Sequence, residues 1–162
     1  MSTNSAIMAK ELDEIFYEAI KANETLVSMT GGRIYSTCIE VPPTKEDNTP
    51  VPYLIITDDP FTNNLGSKDS VWESMYDNVK SSVIISARSP KEVRLIRRLV
   101  REAIAAYVAS MEDEAPELIS SSNEGIAWDW MKPCFYDTLH YQCDIHRILT
   151  EEDNEKEDPI QS

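Results

Sequence analysis

The stretch from Lys80 to Tyr107 constrains this chain most, because it commits it to a strand followed at once by a long helix. In Lys80-Ser-Ser-Val-Ile-Ile-Ser-Ala-Arg88, Val83, Ile85 and Ala87 alternate with Ser82, Ile84, Ser86 and Arg88. That is the period-two pattern of a strand, rich in β-branched residues. Ser89-Pro90-Lys91-Glu92 then carries the signals of a helix start. A serine at the cap accepts from a free backbone N–H, a proline fits the first helical position, and a glutamate three residues after the cap can reach back to close a capping box. Beyond it Val93, Ile96, Val100, Ile104 and Tyr107 share one stripe, with Leu99 and Ala103 beside them. The period is helical. A helix of about eighteen residues spans roughly 27 Å, enough to cross a small sheet. The stretch therefore reads as a central strand and the helix that covers its inner face.

The rest of the chain supplies that strand's neighbours. Ala6 to Ala22 has helical period, with Met8, Leu12, Ile15, Phe16, Ala19 and Ile20 on one face and Asn4 or Ser5 as cap. Asn23 caps a short second turn, Glu24 to Met29, which Gly31-Gly32 ends. Arg33 to Val41 reads as extended, Pro42 to Pro52 as a proline-bounded loop, and Val51 to Asp58 as a strand buried on both faces. Phe61 to Asn78 is a long connection whose ends could extend the flanking strands into a hairpin. It carries Trp72 and Tyr76, and a connection of this length marks a contact arm.

After the long helix, Met111 to Pro116 is an acidic exit. Glu117 to Ser122 and Gly125 to Met131 read as strand pieces. Thr138 to Leu149 is the closing strand, with Leu139, Tyr141, Cys143, Ile145 and Leu149 on one face and His140, Gln142, Asp144 and His146 on the other. Such alternation suits an antiparallel strand with one wet face. The expected fold class is α+β: a mostly antiparallel sheet with two main helices packed on one face. Residues 1–150 read as a single domain and 151–162 as an acidic tail.

Composition narrows the function. Among 162 residues, 41% are hydrophobic and 27% charged, a globular balance. No apolar run approaches the roughly twenty residues of a membrane span, and no secretory leader is visible. Three cysteines, Cys38, Cys134 and Cys143, lack metal-ligand spacing, so a reducing cytosolic site of synthesis is expected. The net charge of −14 argues against binding of free nucleic acid, which needs clustered cations. An acidic wall would, however, keep DNA from sticking inside a pore.

Several side-chain groups invite a chemical reading. His140 and His146 lie about 20 Å apart along a strand, too far to share a metal. Asp144 and His146 could share one with help from elsewhere, but a solvated face is the plainer reading. Asp58 and Asp59 close a strand where metal-dependent nucleases often place acids. Adjacent strand residues face opposite ways, though, so a terminating turn before Pro60 accounts for them. Arg94, Arg97, Arg98 and Arg101 cluster opposite the apolar stripe of the long helix. They form either a solvated face paired with Glu92 and Glu102 or an anchor for an acidic surface of a neighbouring subunit. Cys143 reads as a small core residue. No nucleophile elbow, phosphate-binding loop, zinc spacing or dinucleotide fingerprint is present, and no cofactor is expected.

Taken in order, the landmarks resemble the tail-completion, or tail-terminator, proteins of long-tailed bacteriophages. They are an N-terminal amphipathic helix running into Gly31-Gly32-Arg33-Ile34-Tyr35, then Pro50-Val51-Pro52-Tyr53-Leu54-Ile55, then Ser82-Val83-Ile84-Ile85-Ser86-Ala87. The helix from Ser89 and the strand Tyr141-Gln142-Cys143-Asp144-Ile145-His146 follow. The resemblance covers about Ala6 to Leu149 and departs in the acidic tail and in Met111 to Asp137. It implies a structural virion protein of the phage neck, assembled in the host cytoplasm, with no catalytic residues. Such proteins form a ring, usually of six subunits, that caps the tail tube, stops its polymerisation and meets the head connector, while DNA passes through the lumen. Another head–tail connector or head-completion protein is the alternative within virions. A metal-dependent nuclease using Asp58 and Asp59 is the alternative outside them.

Overall fold

Strand pairing explains the architecture. The computed structural model describes residues 11–36, 44, 49–58, 62–63, 76–112, 115–131 and 133–146, with backbone alone at 58, 62–63, 76–77 and 146. Its elements run α1 (Leu12–Lys21), α2 (Glu24–Thr30), β1 (Ile34–Ser36), β2 (Tyr53–Asp58), β3 (Thr62–Asn63), β4 (Tyr76–Ala87), α3 (Pro90–Ser110), β5 (Glu117–Asn123), β6 (Ala127–Asp129) and β7 (Cys134–His146). The fold is α+β, and one seven-stranded sheet has the order β1-β2-β4-β7-β5, with β3 also on β4 and β6 also on β7. All pairs are antiparallel except β1 with β2.

β4 pairs along its whole length with β7, from Tyr76 opposite His146 to Ala87 opposite Phe135. With that edge of β4 occupied, β2 and β3 must follow one another along the other edge, facing Ser86–Ser81 and Asn78–Asp77. The two ends of the Phe61–Asn78 connection therefore do pair, as a hairpin requires. By the same logic β5 and β6 form one interrupted edge line along β7.

Side chains alternate across a sheet, so this register decides which ones meet the helices. Val79, Val83, Ile85 and Ala87 of β4, Leu54 and Ile56 of β2, and Leu139, Tyr141 and Cys143 of β7 join one core with α1 and α3. α1 contributes Leu12, Ile15, Phe16, Ala19 and Ile20, and α3 contributes Val93, Ile96, Val100, Ala103 and Ile104, all buried. The Phe16 ring meets Tyr141 edge-on at 4.9 Å between centroids. β2 is buried on both faces, because Tyr53 and Ile55 on the far side are also closed off from solvent.

The helix ends follow from local chemistry. Ser89 accepts from the Glu92 N–H at 3.1 Å, and Pro90 opens α3. Glu92 reaches one residue further back than a capping box does: its carboxylate accepts from the Arg88 N–H at 2.9 Å and pairs with the Arg88 guanidinium at 2.6 Å. Asn23 caps α2 by accepting from the Leu26 N–H, and Gly31 leaves it at φ 61°, the left-handed exit that glycine tolerates.

Several boundaries differ from those expected, three of them with consequences for the packing. α1 starts at Leu12, with Glu11 extended before it; Asn4, Ser5 and Met8 lie outside the described residues. β4 begins at Tyr76 rather than Lys80, since β7 continues to pair with it there. β7 begins at Cys134 rather than Thr138, and that places Asp137 inside a strand. The segments 37–43 and 147–162, which include Cys38, Leu149 and the acidic tail, lie outside the described residues.

The central strand sets the test of this packing. Ile85→Ala removes a fully buried side chain from β4 and is expected to cost about 2–5 kcal/mol, through lost transfer energy and the cavity left behind. Urea unfolding should show a lower midpoint with an unchanged slope.

Candidate functional site

The most constrained charged group of the described molecule is Asp137, which the sequence reading passed over. It shares a face with Leu139 and Tyr141, pointing at the helices, and is fully buried. A buried carboxylate must be paired and hydrogen-bonded. The Arg97 guanidinium donates to its Oδ2 at 2.7 Å and the Asn123 amide to the same oxygen at 3.0 Å. The backbone N–H groups of Gly125 and Thr138 donate to Oδ1, each at 2.8 Å. One carboxylate thus ties α3, β7 and the break between β5 and β6. Burial pushes the Asp137 carboxyl up, but Arg97 and the three amide donors more than offset it, and the group titrates below its ordinary value of 3.8.

This tie divides the arginine cluster. Arg97 is half-buried and turned to the sheet, while Arg94, Arg98 and Arg101 are exposed. Glu92 serves Arg88 instead of pairing within the helix. Burial pushes the Tyr141 phenol of β7 up to about 12, against the opposing charge of Arg101. Arg97 therefore points toward β7, which sets its side of α3 over that edge of the sheet.

The opposite face of β7 behaves as a hydrogen-bonded polar surface. Asn78 donates to Asp144 at 3.0 Å and accepts from Gln142 at 3.1 Å. His140 sits between Ser82 and Glu124, with Nδ1 at 2.8 Å from the serine Oγ and Nε2 at 2.6 Å from the carboxylate. Serine, histidine and acid in a row suggest a nucleophilic relay. Ser82 is only 4% exposed, however, and it does not line the adjoining pocket, which is formed by Lys80, Ser120, Ser122, His140, Tyr141 and Gln142. A hydroxyl closed off in this way cannot reach a substrate there.

Among the described residues, no group of three or more His, Cys, Asp or Glu is placed to hold a metal ion. Asp58 ends β2 opposite Ser81; its side chain, the His146 side chain and Asp59 lie outside the described residues. Cys143 is fully buried, and its thiol is pushed up to about 12 by burial and by the Asp144 charge, so it is a core residue and a poor nucleophile. Of the arm, Trp72 and the Tyr76 side chain lie outside the described residues, and the Tyr76 backbone opens β4.

The edge line β5–β6 adds a surface that the sequence reading did not single out. Every residue of β5 is exposed, including Leu118 at 38% and Ile119 at 48%. At the turn into β7, Trp130 and Met131 are 85% and 89% exposed, and Trp130 meets Trp128 edge-on. A strand that is neither alternating nor apolar leaves no signal of which face it buries. The three consecutive serines here are consistent with a strand that buries neither.

No family model matches the chain, and no curated protein matches it. Among solved structures it is similar to a chain of the virion of a native gene transfer agent particle, with a TM-score of 0.40 and 15% identity, over 84% of this chain and 95% of that one. A likeness of that size carries no argument about fold or function.

Asp137 sets the test of the site. Arg97→Ala leaves a buried carboxylate without its counter-charge and is expected to cost roughly 3–5 kcal/mol, nearer the lower figure because the amide donors remain. Since the folded value is lowered, the stability Asp137 contributes is present above the ordinary carboxyl value and is lost as pH falls through the folded one. Asp137→Asn should flatten that acid limb in unfolding curves taken between about pH 5 and pH 2.

Proposed function

We propose that this chain is a structural virion protein of the phage neck, a tail terminator that assembles as a ring on the end of the tail tube. The observation that carries the reading is the order of landmarks gathered into one sheet. The Gly31 turn leads into β1, the proline-bounded β2 lies against β4, the Ser89-capped α3 covers them, and β7 closes the far side. That is the order in which the resemblance to tail-completion proteins runs.

In this reading residues 1–150 are the ring-forming domain and 151–162 an acidic tail. Six copies are expected. The ring stops tube polymerisation and joins the tail to the head connector, and DNA passes through the lumen without specific binding. The net charge of −14 suits such a conduit, because repulsion keeps DNA from adhering. The protein works by shape and contact rather than by catalysis, and takes no cofactor or metal. The exposed arginines of α3 and the arm bearing Trp72 and Tyr76 are its contact elements, aromatic anchors being enriched where interfaces carry their energy.

Negative-stain electron microscopy over a concentration series, with and without tail tubes, tests the reading. Rings with a central hole, or caps on tube ends, are expected; particles that remain monomeric and also ignore tube ends would overturn it. Replacing Trp72 and Tyr76 together by Ala should weaken assembly while far-UV circular dichroism stays that of the folded monomer. Full assembly by that variant would remove the arm from the interface.

A further inference from the structure

We infer that the α3 shoulder bearing Arg94, Arg98 and Arg101, with the open β5 edge beside it, docks head to tail on the acidic α1–α2 face of a second copy of this chain. The inference rests on the ring reading above and names the surfaces that would form it.

Copies carrying a net charge of −14 repel one another, so self-association needs opposite charges held apart on one subunit. The described helix layer has that arrangement. Arg94, Arg98 and Arg101 recur at intervals of four and three residues, so they form one stripe, and all are exposed. The stripe lies on the β7 side of α3, because Arg97 next to it binds Asp137. Among the described strands, β5 and β6 lie beyond β7.

At the other side of the layer, α1 packs over β2 and β4 and carries Asp13 and Glu14, with Glu24 opening α2. Among the described residues of α1 and α2 the cation is Lys21, which lies over the Tyr17 ring at 5.6 Å. The arginine stripe thus faces the β7 side of the layer, while the acidic residues of α1 lie over β2 and β4. Two different surfaces in contact make a heterologous interface, which closes into a ring or runs on as a filament.

The β5 edge supplies what the charges do not. Exposed ion pairs are individually weak, and they set orientation more than affinity. Edge strands are commonly blocked by lysine or proline; β5, Glu-Leu-Ile-Ser-Ser-Ser-Asn, has neither, and its one charge is Glu117. Leu118 lies opposite Cys143, on the helix side of the sheet, and Ile119 follows it at the break in register; both offer exposed apolar surface at this edge.

Sedimentation velocity of the full chain over a concentration series tests this with two charge-reversed variants. Arg94→Glu/Arg98→Glu makes both faces acidic, and Glu14→Arg/Glu24→Arg makes both basic. All these positions are exposed, so both variants should fold with wild-type circular dichroism. Wild type is expected to self-associate and each variant alone to stay monomeric. Their equimolar mixture should recover the wild-type assembly, since every contact in an alternating arrangement is again between opposite charges. Ile119→Lys, which leaves the helices untouched, should also shift assembly to at least tenfold higher concentration.

A wild type that stays monomeric at all concentrations would overturn the inference, and tube-end capping would then decide the ring reading by itself. Variants that assemble like wild type, or a mixture that stays monomeric, would overturn it while leaving the ring reading intact. Variants that assemble normally but no longer cap tubes would assign the arginine stripe to another protein.

Discussion

The β4–β7 ladder is the constraint on which the rest depends. Once β7 fills one edge of β4 from end to end, everything else in the sheet has a single place to go. β2 and β3 share the remaining edge of β4, and β5 and β6 share the remaining edge of β7. The same register decides parity, and through parity it selects which side chains meet α1 and α3. A slip of one residue would turn either Val83 and Ile85 or Leu139 and Cys143 out of the core, so the apolar alternation and the pairing reinforce each other.

Much of this was legible because the signals were strong and local. The alternation in Val83–Ala87, the Ser89-Pro90 start and the helical stripe from Val93 to Ile104 each rest on a period or a cap, and each recurs in the molecule. Asp137 escaped notice because its role is non-local. It lies two positions before Leu139 in the same apolar parity, and a charged residue in that parity is the sign of a buried pair. Its partner, Arg97, sits one helix away and looks in sequence like any other member of an arginine cluster. The signal was present, but only for a strand begun four residues earlier. β5 was legible as a strand from Glu117 to Ser122, but its exposure was not, since a strand open on all sides has no period to show which face it buries.

The arginine cluster shows how tertiary placement sorts residues that sequence groups together. Arg97 is committed to the interior tie, and its removal is a question of stability. Arg94 and Arg98, on the same helix, are exposed. The break between β5 and β6 belongs to the same economy. Gly125, at φ 108°, gives its N–H to the Asp137 carboxylate, so the tie replaces a stretch of ladder.

The spacing of β4 and β7 along the chain also governs how the protein can be made. Even their closest partners, Ala87 and Phe135, are separated by the whole of α3 and the β5–β6 line. On a ribosome, β2, β4 and the helices are synthesised well before β7 emerges. Until then the nascent sheet presents an unpaired edge of β4, bordered by Val83 and Ile85, and non-local pairings of this kind form slowly. A chain with such an interval is exposed to wrong strand partners while still tethered, and the arrival of β7 is what ends that exposure.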